Sequence, residues 1–183
     1  QPSTPVSYFH LLRFHAANPK RRPMVVFTPK SMLRLKAAAS SISDFTSGTF
    51  LPVIGDPTVN NASRVIFCSG KIYHDLVAER NRLNDSSTAI VRVERLYPFP
   101  VAQMEVEAKK HPNANLLWVQ DEPANQGAWP HVALSTTESI GGTGVDSRVL
   151  RRISRRAAAS PATGSHHLHE DEAKALLDEA FTR

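Results

Sequence analysis

"RVIFCSGKIYHDLVAERNRLNDSSTAIVRVERLYPFP", residues 64–100, decides the fold. Two short runs rich in β-branched residues, "RVIF" and "TAIVRV", flank a segment in which Ile72, Tyr73, Leu76, Val77 and Leu83 recur at helical spacing. Continuous apolar runs of this length suit strands buried on both faces, as in parallel sheets. A strand, a helix and a second strand in that order predict a β–α–β unit. The grammar extends outward from there. "MVVFTP" from Met24 and "NLLWVQDEP" from Asn115 read as further strands, and "RVLRRIS" as a weaker fifth. "PVAQMEVEAKKHP" supplies a helix between the third and fourth, and "HEDEAKALLDEAF" a last amphipathic one with acids in its first turn. The expected fold is α/β, a mostly parallel sheet of about five strands flanked by helices, with an amino-terminal helical arm. The stretch "SSISDFTSGTFLPVIGDPTVNNAS" from Ser40 reads as a surface excursion.

The arm is "QPSTPVSYFHLLRFHA", with Tyr8, Leu11, Leu12 and His15 at helical spacing and Ser3, Thr4 or Ser7 as its cap. "NPKRRP" then breaks the pattern. Residues 1–19 are therefore read as a helix from the end of a preceding domain, and residues 20–183 as the domain proper.

Composition excludes several classes. At 183 residues and 41% apolar, the chain holds one core and is not disordered. No apolar stretch reaches the ~20 residues of a membrane span, and no signal peptide opens the chain, so a cytoplasmic location is expected. Cys68 is the sole cysteine and lies inside "VIFC", which reads as a buried structural thiol. The net charge of +5 concentrates in "PKRR" and "SRVLRRISRR", so phosphate-bearing partners come into view.

In parallel sheets ligands bind beyond the carboxyl ends of the strands. "TPKS", "CSGK", "RLYP" and "QDEPANQGAW" follow the four strands in turn, which directs Lys30, Ser69, Lys71, Gln120 and Gln126 to one edge. "SGK" also opens a helix, and a helix amino terminus favours an anion, although the spacing is not that of a P-loop. Asp121 and Glu122 are adjacent carboxylates. Strand alternation sends them to opposite sides, so a shared acid–base role is not expected. His166, His167 and His169 form a short tract without cysteine or "HExxH" spacing, which reads as a solvated cap before a helix.

Six stretches together, "QPSTPVSYFHLLR", "RRPMVVFTPKSMLR", "CSGKIYHDL", "AIVRVERLYPFP", "WVQDEPANQGAW" and "RRISRRAAASPATGSHHLHEDE", resemble the carboxyl-terminal part of the thiamine-dependent component of the 2-oxoglutarate dehydrogenase complex. The first two are similar to its actinobacterial multifunctional form. The resemblance covers nearly the whole chain, in order. It implies a transketolase-like carboxyl-terminal domain within a 2-oxoglutarate dehydrogenase or decarboxylase of the citric acid cycle. It places the ligands of thiamine diphosphate and magnesium upstream, so the chain alone is expected to be inactive, with no catalytic and no metal residue of its own.

The resemblance further implies a homodimer, contacts with the upstream thiamine-binding domains and with the dihydrolipoyl succinyltransferase component, and an allosteric site for acetyl-CoA or AMP. The effector residues it points to are Arg22 and Ser40 by family position, with Ser69, Lys71, Gln120, Gln126 and Gly127 on the strand-end edge. Arginine suits phosphate because its planar fork donates two parallel hydrogen bonds. Two positions depart from the family pattern, His167 near a usual lysine and His74 in place of an aromatic residue. A structural or interaction domain without effector binding is the alternative reading, with Trp129 as an interface anchor. A nucleic-acid-binding module is the rival class: the cations permit it, but no motif of the known nucleic-acid folds is present and the aromatics lie in strands or helix stripes.

Overall fold

Buried, β-branched residues build the centre of the sheet in the computed structural model, which describes residues 1–20, 22–140, 144–145 and 147–182. The helices are α1 (Pro5–Ala17), α2 (Ile42–Thr46), α3 (Ile72–Arg82), α4 (Val101–Lys109), α5 (Trp129–Ile140) and α6 (His166–Phe181). The strands are β1 (Val53–Ile54), β2 (Arg64–Cys68), β3 (Thr88–Val93), β4 (Asn115–Pro123), β5 (Gly144–Val145) and β6 (Arg148–Arg155). Their order across the sheet is β1-β3-β2-β4-β6-β5. The four inner strands are parallel, and the two-residue strands β1 and β5 close the edges antiparallel.

Register and alternation together divide the core into two layers. Phe67 lies opposite Val91 on one side and Trp118 on the other, so one face presents Val65, Phe67, Val91, Trp118 and Leu150 to Met104 of α4 and Val132 of α5. The other face presents Ile66, Cys68, Ile90, Val119 and Ile153 to Ile72 and Leu76 of α3 and Leu176 of α6. Cys68 is fully buried, and burial pushes its thiol far above the ordinary range, as a structural cysteine requires.

The strand expected over residues 24–29 needs correction. "MVVFTP" is not a strand here: residues 22–29 form no ladder, and Lys30 opens a 3-10 turn (Lys30–Arg34) instead of ending a strand. The sheet edge nearest β3 is taken by Val53 and Ile54 from the long excursion, so "MVVF" has no edge to join. Helix α5 was not foreseen, because Pro130 and the β-branched pair Thr136 and Thr137 mask its periodicity; a proline is tolerated in a first turn, where N–H groups lack helical partners. Helix α1 forms where expected, capped by Thr4 with Pro5 in its first turn. Its buried side, however, is polar, with Ser7 and His10 inside and Tyr8 and Leu12 exposed.

A histidine ties the excursion to α4. His111 is 6% exposed, and its Nδ1 accepts the Ala62 N–H at 3.0 Å, which requires the neutral ring. Burial lowers its pKa. A pKa depressed in the folded state means that the unfolded chain binds the proton more readily, so the stabilisation is complete above the unfolded value of about 6.5 and is lost as pH falls below it. Thermal melts from pH 7.5 to 5 should therefore show a falling midpoint, with a shallower slope in His111→Gln.

Candidate functional site

Parallel pairing brings the carboxyl ends of β2, β3 and β4 side by side, and the turns beyond them hold most of the residues singled out by sequence. After β2, the Ser69 hydroxyl donates to the Val93 carbonyl at 2.7 Å, which locks that turn to the end of β3. Gly70 follows with φ +73°, a left-handed conformation natural to glycine. Lys71 then places its ammonium 2.7 Å from Asp75 and 3.5 Å from Asp121. Burial alone would lower the Lys71 pKa; the hydrogen bond and charge of these carboxylates outweigh it and raise the value.

The turn after β4 is organised by one amide. Gln120 is 3% exposed, and its Oε1 accepts from the Trp118 indole at 3.0 Å and from the Trp129 N–H at 2.8 Å. Its Nε2 donates to the carbonyls of Gln126 at 2.8 Å and Pro123 at 3.1 Å. The chain therefore wraps around its side chain, and Gly127 permits the closest approach: φ is +65°, and a Cβ there would stand 2.8 Å from the Cβ of Glu122. Gln126 Nε2 and Asn125 Nδ2 both donate to the Ala158 carbonyl, linking the turn to the segment after β6. Trp129 packs against the core with the Arg152 guanidinium 5.7 Å from its ring centroid.

The two carboxylates line different hollows, Asp121 one beside Lys71 and Arg155 and Glu122 one beside Gly127 and His131, although the register of β4 against β6 shifts between Val119 and Pro123. Burial and then the neighbouring Asp121 carboxylate push the Glu122 carboxyl above its usual range. Asp121 instead serves Lys71, and its main-chain carbonyl accepts from Arg155 Nε at 2.7 Å. Lys71, Asp75, Asp121, Arg155 and His169 line one hollow between α3 and α6.

The opening residues occupy the neighbouring part of this edge, which sequence reasoning missed. Glu94, 1% exposed at the end of β3, accepts from the Ser3 N–H at 2.8 Å, the Ser3 hydroxyl at 2.5 Å and the Ser7 hydroxyl at 2.6 Å. His74 Nε2 donates to the Ser3 carbonyl at 2.8 Å, and the Gln1 side chain lies over Gly70. A buried carboxylate at the amino terminus of α1 is satisfied by these donors and by the helix dipole. The only sequence signal was an acid, Glu94, directly after a β-branched run. His74, the departure from the family pattern, here finds its partner in Ser3. Ser40 joins the same cluster, its hydroxyl accepting the Val6 N–H at 3.3 Å.

Arg22 stands apart. It is exposed, and among the described residues no hydrogen bond or ion pair joins its side chain to Ser69, Lys71 or the Gln120 turn. His166 and His167 are exposed near Glu170 at the start of α6, and among the described residues no group of three or more His, Cys, Asp or Glu could hold a metal. No helix among the described residues is long and apolar enough to cross a membrane.

A family model described as the 2-oxoglutarate dehydrogenase C-terminal domain matches residues 39–181. The chain is similar, at 46% identity over 98% of its length, to the multifunctional 2-oxoglutarate metabolism enzyme of Mycobacterium sp. (strain JLS). It is 46% identical over its full length to the 2-oxoglutarate dehydrogenase E1 component of Cupriavidus necator, and 47% identical over 99% to the E1/E2 component of Corynebacterium glutamicum. It spans 15%, 19% and 15% of these three proteins respectively.

Proposed function

Since the chain belongs to the 2-oxoglutarate dehydrogenase C-terminal family, we propose that it acts as the carboxyl-terminal domain of a thiamine-diphosphate-dependent 2-oxoglutarate dehydrogenase or decarboxylase of the citric acid cycle, in the cytoplasm. In that role it supports a homodimer, abuts the upstream thiamine-binding domains, and works beside the dihydrolipoyl succinyltransferase. Thiamine diphosphate, which would supply the electron sink for decarboxylation, and its magnesium would be held by residues outside these 183. The contribution of this chain is positioning and regulation.

The regulatory part of the proposal is an acetyl-CoA or AMP site on the carboxyl edge. What supports it is the adjacency of β2 and β4, which sets Ser69 and Lys71 beside the turn of Gln120, Gln126 and Gly127. Arg22 is an exposed cation free for a phosphate, and Ser40 adds a hydroxyl. Charge-assisted bonds to phosphate contribute about 1.5 to 3 kcal/mol, so Arg22→Ala should weaken effector binding roughly tenfold to a hundredfold, less so at high salt. Lys71→Ala should cost less, because Asp75 and Asp121 already share its charge. Calorimetry of acetyl-CoA and AMP against the longer enzyme decides this. Unchanged affinity in both variants removes these residues from any effector site.

One observation favours a second reading, a purely structural domain: Ser69, Lys71, Gln120 and Gln126 each already have internal partners. Their side chains would then hold the turns and nothing else. Absence of any calorimetric signal with either nucleotide would select it.

A further inference from the structure

The basic run "SRVLRRISRR", residues 147–156, meets the carboxyl edge only through Arg155 at its end. It forms β6, the outermost of the parallel strands, and its outer side is covered only at its start, where Arg148 and Val149 pair with the two-residue strand β5. Farther along, among the described residues, no strand lies outside residues 151–154, and none of their main-chain groups enters a backbone–backbone hydrogen bond beyond the ladder with β4. A strand turns the N–H and C=O of alternate residues to the same side, so this stretch offers an open ladder to an added strand.

The side chains along this edge select what can join it. Leu150 belongs to the core layer under α4 and α5, and Ile153 to the layer under α3 and α6, so the two residues between them, Arg151 and Arg152, stand on opposite faces of the sheet. Arg152 lies over the Trp129 ring, while Arg151 lines a hollow of about 490 Å³ with Arg64 and Glu179. Arg151, Arg152 and Arg156 are exposed, and among the described residues none of the three side chains has an ion pair or a hydrogen bond. A second copy is a poor occupant, because antiparallel pairing of β6 with itself sets arginine opposite arginine. Acids suit the same positions. We propose that the outer edge of β6 docks an extended acidic segment of a partner protein, which adds a strand to the sheet and sets two consecutive carboxylates against Arg151 and Arg152. Consecutive acids are required because neighbouring residues of the added strand also face opposite sides, with cross-strand side chains about 4.5 to 5.5 Å apart. The surface is separate from the turns of Ser69 and Gln120, and the proposal does not depend on the enzymatic reading.

Fluorescence polarisation tests this on the full chain, with the labelled peptide Thr-Val-Thr-Glu-Glu-Thr-Val-Thr and a counterpart carrying Lys-Lys at its centre. The acidic peptide should bind at least about tenfold more tightly than the basic one, and exchange of alternate amides in residues 151–154 should slow when it is bound. In the double variant Arg151→Glu with Arg152→Glu the preference should reverse. Arg151→Gln with Arg152→Gln, which removes the charge alone, should bring the two peptides within about threefold of each other. The comparison of the two peptides on the unmodified chain needs no variant, so misfolding of either leaves the test intact. Equal binding of both peptides, or none, overturns the proposal and leaves the arginines as guards of the edge. Binding without slowed exchange overturns it as well, since charge is then read and no strand is added. Displacement of the acidic peptide by duplex DNA at about tenfold lower concentration also overturns it, making nucleic acid the occupant.

Discussion

Asp56→Ala is expected to destabilise the domain by about 3 to 5 kcal/mol, because it leaves the buried Arg80 guanidinium without its counter-charge. Asp56 and Arg80 side chains are 5% and 10% exposed, and they are in direct contact. Asp56 also accepts the Ile90 N–H at 2.9 Å and the Thr58 N–H and hydroxyl at 2.9 and 2.6 Å. One carboxylate therefore joins the excursion, α3 and the edge of β3 just below the point where β1 stops pairing. At roughly 2 to 4 °C per kcal/mol for a domain of this size, the midpoint should fall by about 10 °C. Asp56→Asn, which retains an acceptor, should fall less.

The loss should depend on pH with a definite sign. Burial works to raise the Asp56 pKa, but the hydrogen bonds from Thr58, Ile90 and Arg80 outweigh it and hold the carboxyl below its ordinary value. A depressed carboxyl pKa gives stability that is complete above the unfolded value of about 3.9 and is lost as pH falls through the folded one. Melting curves of the parent and Asp56→Ala should thus converge in strong acid. A gap that stays constant from pH 7 to 3 would show that the carboxylate charge is not what stabilises the site.

Gln120→Ala is expected to cost about 3 kcal/mol and to disorder the turn that follows β4. The substitution strands the buried Trp118 indole N–H and the Trp129 N–H on one side and the Gln126 and Pro123 carbonyls on the other, and buried polar groups left unpaired cost ~1 to 3 kcal/mol each. Water entering the vacated space offsets part of that sum. Exchange at residues 121–128 should quicken before global unfolding, and tryptophan emission should shift as Trp118 is exposed. Gln120→Glu should be nearly as damaging, since a carboxylate cannot donate to the two carbonyls. Preserved stability in both variants would mean that the turn is held by its backbone alone.

The four parallel strands were legible at different depths. β2, β3 and β4 announce themselves as short β-branched runs because strands buried on both faces need apolar residues at every position, and helices α3, α4 and α6 because each carries an apolar stripe at its own period. α5 was hidden: Val132 and Thr136 lie one turn apart on its buried side, but Pro130 and two threonines resemble a loop when read locally. β1 and β5 were hidden for a different reason. Two residues carry no period, and only the neighbouring strand makes them part of a sheet.

The candidate site divides in the same way. Ser69, Lys71, Gln120, Gln126 and Gly127 could be placed on one edge from sequence, because in a parallel sheet every strand ends on the same side, whatever the strand order. Which partners they take was a tertiary matter. Lys71 finds Asp121 across two strands, Gln120 folds its own turn around itself, and Glu94 receives Ser3 and Ser7 from about ninety residues away. Local sequence determined the inner strands β2, β3 and β4, helices α3, α4 and α6, the sheet type and the family, since propensity, period and motif act over a few neighbouring residues. The tertiary structure alone decided that the first residues of the chain, rather than open solvent, cover part of the carboxyl edge. It also decided that "MVVF", a strand by every local measure, stays unpaired, because a strand is completed only by hydrogen bonds to an edge that its own sequence does not contain.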